Sequence, residues 1–343
     1  MHAHHAFDRC RARVSTVGPV DSSPMDATAG TARRMSLDGV RTAWWEYGDP
    51  DAATTVVMVH GFRGDHHGLE PIVRALDLTG RRVVVPDLPG FGASGAPEGV
   101  LDIDAYAGWL RRFVAEIAAP PAPSEPAEGG NTTPGADRRR LVVLGHSFGS
   151  IVVAAALAGL PHDDAAAPPL EPERVVLVNP IGAPALSGPK RAMTGLAVAY
   201  YRAAAALPAR AGFALLRNPA IVRVMSMAMA KTHDRGLRAW IHDQHDRYFS
   251  AFDDRRVVLD AFRASVENDV GMFAELIRQP TLLIAADRDD ITPLAAQRRL
   301  AERMPDARLV VLSGVGHLVH YEAPLRAAGE IEAFLAEPEA PGR

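Results

Sequence analysis

Leu141-Val142-Val143-Leu144-Gly145-His146-Ser147-Phe148-Gly149-Ser150-Ile151-Val152-Val153-Ala154-Ala155-Ala156-Leu157-Ala158-Gly159-Leu160 is the stretch from which the fold can be read. The four apolar residues at its start suit a buried strand, and the longer alanine-rich run after Ser150 suits a buried helix. Between them stands Gly145-His146-Ser147-Phe148-Gly149, a G-x-S-x-G pattern. A strand that turns directly into a helix forces its central residue into strained backbone, and small residues two before and two after let neighbouring segments pass closely. Such a turn lifts the Ser147 hydroxyl above the sheet and aims a helix N-terminus at any negative charge that develops beside it. With 29 glycines in the chain, five letters alone are a weak signal. The bland alternative is a serine N-cap on an ordinary strand-to-helix turn. The strand before and the helix after favour the first reading.

Working outward, apolar runs at 41–47, 54–60, 82–86 and 175–178 read as strands, and 68–78 and 102–118 as helices, with Asp102 as an N-cap. Strand–helix alternation predicts an α/β fold, a mostly parallel sheet with helices on both faces. The alternation stops after Asn179-Pro180 and resumes with strands at 281–285 and 309–312 and helices at 293–304 and 324–336. Residues 35–180 and 273–338 are therefore expected to form one core, interrupted by a helical cap over 181–272. Residues 119–139 are rich in Pro and Gly and read as a flexible linker. Residues 1–34 lack periodicity and read as a disordered tail, with order beginning near Met35 and Met25 or Met35 as alternative starts.

Bulk properties exclude several classes. The net charge is -4 and no basic stripe emerges, so no nucleic-acid partner is expected. Arg138, Arg139 and Arg140 fall in the polar linker and read as solvated. The sole cysteine, Cys10, allows no internal disulfide, which suits a reducing, cytoplasmic setting. No N-terminal apolar region resembles a signal peptide. No run is long enough to span a membrane; the nearest, Ala192 to Leu216, is broken by Arg202, Pro208 and Arg210, so no stable insertion is expected. His2, His4 and His5 resemble a metal cluster only by composition. His66 and His67 beside Asp65 invite a metal reading, but adjacent residues on a helix diverge by about 100° and no third ligand is suitably spaced. Gly90-Phe91-Gly92-Ala93-Ser94-Gly95 spells a dinucleotide motif, yet Ala96-Pro97-Glu98-Gly99 continues the loop where a helix is required. Neither a metal nor another cofactor is expected.

A serine hydroxyl becomes a nucleophile when a base takes its proton, and the base is usually a histidine held by a carboxylate. Asp287-Arg288-Asp289-Asp290 and Gly316-His317 each follow a strand near the C-terminus. These acids also have a bland reading, as a solvated loop with Asp290 capping a helix.

In these motifs residues 36–336 resemble the α/β-hydrolase family, which implies a helical cap after strand 6 of the family's count. The family's acid stands in a G-x-x-D-x-x-x-P setting. Here Ala286-Asp287-Arg288-Asp289-Asp290-Ile291-Thr292-Pro293 replaces the Gly with Ala286, and counting back from Pro293 selects Asp289, with Asp287 and Asp290 as alternatives. Gly314-Val315-Gly316-His317, with Glu322 and Pro324 behind it, is similar to the family's catalytic-histidine loop. That implies His317 as base and leaves His320 structural. His60-Gly61-Phe62 resembles the oxyanion turn, which implies the amides of Phe62 and Phe148 as the oxyanion hole and the Phe62 ring as pocket lining. Asp87 to Ser94 is similar to the family's loop after strand four.

The implied function is a serine hydrolase that cleaves a small apolar carboxylic ester through an acyl-enzyme, with the triad Ser147, Asp289 and His317. Haloalkane dehalogenases and epoxide hydrolases of this fold carry Asp at the elbow and dienelactone hydrolases carry Cys, so Ser147 argues against all three. C–C hydrolases of the meta-cleavage type use Ser beneath a lid, but usually with Asn before it and a turn richer in Gly and Pro than His60-Gly61-Phe62-Arg63-Gly64. They are the runner-up, followed by a non-catalytic binding protein of the same fold; relatives also exchange acids and peracids with the same triad. Met225, Met227 and Met229 in the cap suggest an adaptable apolar pocket. The oligomeric state is left open.

Overall fold

In a computed structural model the described residues are 13–15, 30–118, 140–159, 167–184 and 191–338, with backbone alone for 13–15 and 191–194. The linker 119–139, Cys10 and His2, His4 and His5 lie outside them.

The strands are β1 (Arg13–Ser15), β2 (Thr31–Leu37), β3 (Val40–Gly48), β4 (Thr54–Val59), β5 (Arg81–Pro86), β6 (Arg140–His146), β7 (Arg174–Val178), β8 (Thr281–Ala286) and β9 (Ala307–Leu312). They form one sheet in the order β1-β9-β8-β7-β6-β4-β5-β3-β2. β3 pairs antiparallel with β2 and with β5, and all other pairs are parallel. The sheet is the expected mostly parallel one. The tail expectation needs correction. β2 begins at Thr31, ahead of Met35, and Arg13–Ser15 pairs with β9 at the sheet edge. Both strands were missed because β2 is mostly exposed and β1 spans three residues, so neither carries an apolar run.

Side chains of a strand alternate between its faces, and the central strands are apolar at every position. Val57, Val59, Val143 and Leu283 enter one core; Val56, Met58, Val142, Leu144, Leu282 and Ile284 enter the other. The first core is closed by α2 (Ile103–Ala118) and α3 (Phe148–Ala158), the second by α1 (Glu70–Ala75) and α11 (Pro324–Leu335). Asp102 caps α2, its Oδ1 accepting the Ala105 amide at 2.9 Å.

Between β7 and β8 run α4 (Arg191–Ala206), α5 (Ala209–Leu216), α6 (Pro219–Met229), α7 (Arg235–Tyr248) and α8 (Arg255–Glu267). α4 packs on α5, α6 on α7, and α8 reaches α2, α4 and α5. Asn218, Asp234 and Asp254 cap α6, α7 and α8 with their side chains. After β8 come α9 (Leu294–Arg303) and, beyond β9, α10 (Val319–Glu322).

The β6-to-α3 turn is packed closely against backbone. A Cβ on Gly149 would collide with the Val59 carbonyl and lie 2.6 Å from that of His60, and one on Gly145 would lie 2.6 Å from the Gly149 carbonyl. Gly149→Ala should therefore cost at least about 2 kcal/mol through overpacking against rigid backbone, read as a thermal midpoint several degrees lower than that of the parent.

Candidate active site

The strain expected at Ser147 is present: its φ is 52° and its ψ -117°, a region that side-chain-bearing residues rarely adopt. Local hydrogen bonds hold it there. Its amide donates to the Val178 carbonyl at 3.1 Å, and its carbonyl accepts the Ser150 amide at 2.9 Å and the Ser150 hydroxyl at 2.5 Å. Only 7% of Ser147 is exposed.

The Ser147 hydroxyl donates to His317 Nε2 at 2.8 Å, and His317 Nδ1 donates to Asp289 Oδ2 at 2.7 Å. These partners come from loops 170 and 28 residues apart in sequence. The three acids separate by contact. Asp289 Oδ1 accepts the amides of Ile291 (2.7 Å) and Thr292 (3.0 Å), and Oδ2 accepts the Thr292 hydroxyl (2.5 Å). Asp287 accepts the Gly314 amide at 2.7 Å and Asp290 pairs with Lys231 at 2.8 Å. Burial pushes the Asp289 carboxyl up, but the charge and hydrogen bond of His317 and the bonds from Thr292 prevail and hold it at about 2. His320 makes no bond to Ser147; its ring stands edge-on to His146 at 4.2 Å.

Gly61 brings the expected oxyanion turn to the elbow. A Cβ there would lie 3.0 Å from His146 Nδ1 and 3.3 Å from Ser147 Cβ. His60 anchors the turn, its Nδ1 donating to the Gly61 carbonyl (2.8 Å) and its Nε2 accepting the Leu88 amide (2.9 Å). Among the described residues, no acceptor outside regular helix and strand bonding engages the amide of Phe62 or Phe148. A helix start, two such amides and a serine bonded to a carboxylate-held imidazole make a site where an alkoxide can form and a neighbouring anion be held.

The sequence profile described as "Alpha/beta hydrolase family" matches residues 56–330, a span that holds the elbow, the acid and the histidine loop. The chain belongs to the alpha/beta hydrolase family. Epoxide hydrolase A of Mycobacterium tuberculosis is 28% identical over 345 residues, covering 90% of this chain and 97% of that protein. Among solved structures, a bromoperoxidase from Bacillus anthracis superposes with a TM-score of 0.67 at 16% identity, over 90% of this chain and all of that one. An esterase from Thermogutta terrifontis does so at 0.63 and 20% identity, over 89% of this chain and 98% of that one. At these identities the structural likeness speaks for the fold alone.

Several residues that shape the site of this alpha/beta hydrolase escaped the sequence reading. Asn179, at φ 43° and fully buried, donates from Nδ2 to the carbonyls of His317 (2.8 Å) and Gly316 (3.2 Å) and so positions the histidine loop. Its signal was Asn-Pro at a strand end, which marks a turn and nothing more. Glu322, noted in the sequence only as part of the histidine-loop resemblance, ties that loop to the helices above, accepting the amides of Gly316 (3.3 Å) and Lys231 (2.8 Å).

Arg63 is the larger omission. It follows Phe62 at φ 59° and is 1% exposed. Its guanidinium donates to the carbonyls of Leu216 (2.7 Å) and Phe249 (3.2 Å), to Ser250 Oγ (3.3 Å) and to the Tyr201 hydroxyl (3.4 Å). It also lies 4.6 Å from the Phe249 ring centre and 5.2 Å from that of Phe252. A buried cation is thus satisfied by carbonyl dipoles and aromatic faces from three segments of the α4–α8 region.

The Met-rich expectation is corrected for Met227 only, since Met229 packs against the cluster of Ala230, Ile241, Leu318 and Tyr321. Met227 is 53% exposed, and the rings around Phe62 are aromatic: Tyr201 at 5.8 Å, Phe262 at 6.0 Å, Phe91 at 6.4 Å and Phe148 at 6.5 Å. Methionine at alternating positions of α6 puts Met227 on the outer side of the helix.

The expected divergence of His66 and His67 is also overturned. They sit on a 3-10 turn, with ring centres 3.8 Å apart between Trp45 and Tyr248, and the ligand atoms of Asp65, His66 and His67 lie within 4.8 Å of one another. The cause is anchoring by two carboxylates. His66 Nδ1 donates to Asp87 at 2.9 Å and His67 Nδ1 to Asp65 at 3.0 Å, which turns both rings into one stack. The glycine motif at 90–95 serves Asp87 as well: a Cβ on Gly92 would run into its carboxylate, whose Oδ2 accepts the Ala93 amide at 2.7 Å.

Two predictions follow from these contacts. Arg63→Met leaves two buried carbonyls unpaired and should cost about 2 kcal/mol or more, measured by denaturant unfolding. The second concerns acid. Burial, and then the charge of His317, pushes His146 down to about 3; burial, and then His242 and Arg223, pushes His245 down to about 4. The unfolded chain takes up these protons near pH 6.5, so stability falls as pH drops below about 6.5, by roughly 1 kcal/mol per pH unit per histidine. Asp289 adds to the loss only below about pH 4. Thermal midpoints between pH 7 and pH 5 should show this slope, and His245→Gln should flatten it.

Proposed function

We propose that this alpha/beta hydrolase is a serine esterase acting on small apolar carboxylic esters. The observation that carries the reading is the unbroken chain from the Ser147 hydroxyl through His317 to the charged Asp289. His317 Nε2 takes the Ser147 proton as Oγ attacks the ester carbonyl. The oxyanion is held by the amides of Phe62 and Phe148, each worth about 10²–10³ in rate. Asp289 stabilises the imidazolium, which then protonates the leaving alcohol. Water, deprotonated by His317, cleaves the acyl-enzyme and returns the proton to Ser147. Helices α4–α8 serve as the cap, and the aromatic rings around Phe62 favour an apolar acyl group. The single cysteine suits a cytoplasmic setting, and no helix among the described residues is long and apolar enough to cross a membrane.

The named relative raises epoxide opening as a competitor. Chemistry weighs against it. A carboxylate that opens an epoxide leaves an ester, which water can cleave at its carbonyl. A serine alkoxide would leave an ether with no carbonyl to attack, and the enzyme would stall after one event.

A panel of p-nitrophenyl esters of increasing acyl length, styrene oxide and a vinylogous diketone, offered to parent and variants, tests the reading. Ester turnover is expected, falling by about 10⁴ or more in Ser147→Ala and about 10⁴ in Asp289→Asn. Asp287→Asn should stay near parent activity. Turnover of the diketone or the epoxide alone, or ester cleavage that survives in Ser147→Ala, overturns it.

A further inference from the structure

The outer side of the near-span Ala192–Leu216 is left without a role by the reaction. From Arg174 to His233 the chain holds no acidic residue and eight basic ones, whereas the other 29 Lys and Arg share the remainder with all 41 Asp and Glu. The segment forms α4, α5 and α6. α4 buries Tyr201 and Ala204 and turns outward Leu196, Ala199, Arg202, Ala203 and Ala206, a stripe of helical spacing. The outward residues continue through Leu207, Arg210 and Ala214 to Arg217. On α6 they include Val224 and Met227. Exposures of 73% at Leu196, 59% at Val224 and 53% at Met227 are high for large apolar side chains. Every charged residue fully exposed on this face is an arginine, and among the described residues Arg202, Arg210 and Arg217 form no ion pair.

We propose that the outer face of α4–α6 docks this protein reversibly on an anionic lipid surface. Helices that pair exposed apolar side chains with basic residues lie in the interface of a bilayer, where apolar burial and attraction to acidic headgroups add. The interruptions that prevent a span, Arg202, Pro208 and Arg210, are compatible with lying flat. A second copy of the same face is disfavoured, because a two-fold contact would set arginine against arginine. The docked helix is also continuous with the site: the inner side of α4 places Tyr201 against Phe62 at 5.8 Å. The proposal is independent of which bond the enzyme cleaves.

Co-sedimentation of the full chain with phosphatidylcholine vesicles, with and without phosphatidylglycerol, tests it. Binding is expected on phosphatidylglycerol vesicles, far weaker on phosphatidylcholine alone, and lost toward about 1 M salt, where screening acts within about 3 Å. The triple variant Arg202→Gln/Arg210→Gln/Arg217→Gln should bind on the order of 100-fold more weakly, roughly fivefold per arginine. Leu196→Ser/Val224→Ser/Met227→Ser should weaken it as well. All six positions are exposed, so unchanged thermal midpoints are expected in both variants. Failure of the parent to bind phosphatidylglycerol vesicles, undiminished binding by the arginine variant, or a parent dimer that Leu196→Ser/Val224→Ser/Met227→Ser dissolves each overturns the proposal.

Discussion

The site depends on one steric constraint, the passage of the start of α3 across the end of β4 with no room for a side chain at Gly149. That contact holds the elbow close to the His60-Gly61-Phe62 turn. It sets Ser147 in strained backbone and leaves its hydroxyl facing the loops that follow β8 and β9. Were the two strands farther apart, the serine would relax into an ordinary helix cap and the Phe62 amide would be out of reach.

Around that point polar side chains fasten the loops that meet at Ser147. Asp289 collects two amides, a hydroxyl and an imidazole and keeps its charge in a buried setting. Asn179 and Glu322 fasten the histidine loop from below and from above. Arg63 joins the His60-Gly61-Phe62 turn to the helices above it with no carboxylate partner among the described residues. A buried cation thus ties the His60-Gly61-Phe62 turn to α4, α5 and the segment after α7.

The outer side of the same helices has a different character. Its arginines Arg202, Arg210 and Arg217 and its side chains Leu196, Val224 and Met227 are exposed, whereas the inner side supplies Tyr201 to the aromatic enclosure. One amphipathic region thus has two apolar aspects, and core packing accounts for only one of them.

Local sequence sufficed for the sheet, the elbow and the histidine loop, because apolar runs, glycines at fixed offsets and a histidine after a strand are all local signals. Counting back from Pro293 selected Asp289, with Asp287 and Asp290 as alternatives, and of the three it is Asp289 that bonds His317. Arg63, Asn179 and His66 were illegible for a common reason: each meets partners distant in sequence, 21 residues away for His66 and Asp87 and up to 187 for Arg63 and Ser250. The strands at Thr31–Leu37 and Arg13–Ser15 were missed because edge pairing needs backbone partners, not apolar side chains. By itself the sequence determined which segments are buried and where a nucleophile can stand, since burial and backbone strain are written in residue type. Only the tertiary structure decided which charge meets which, because that depends on loops brought together by the sheet.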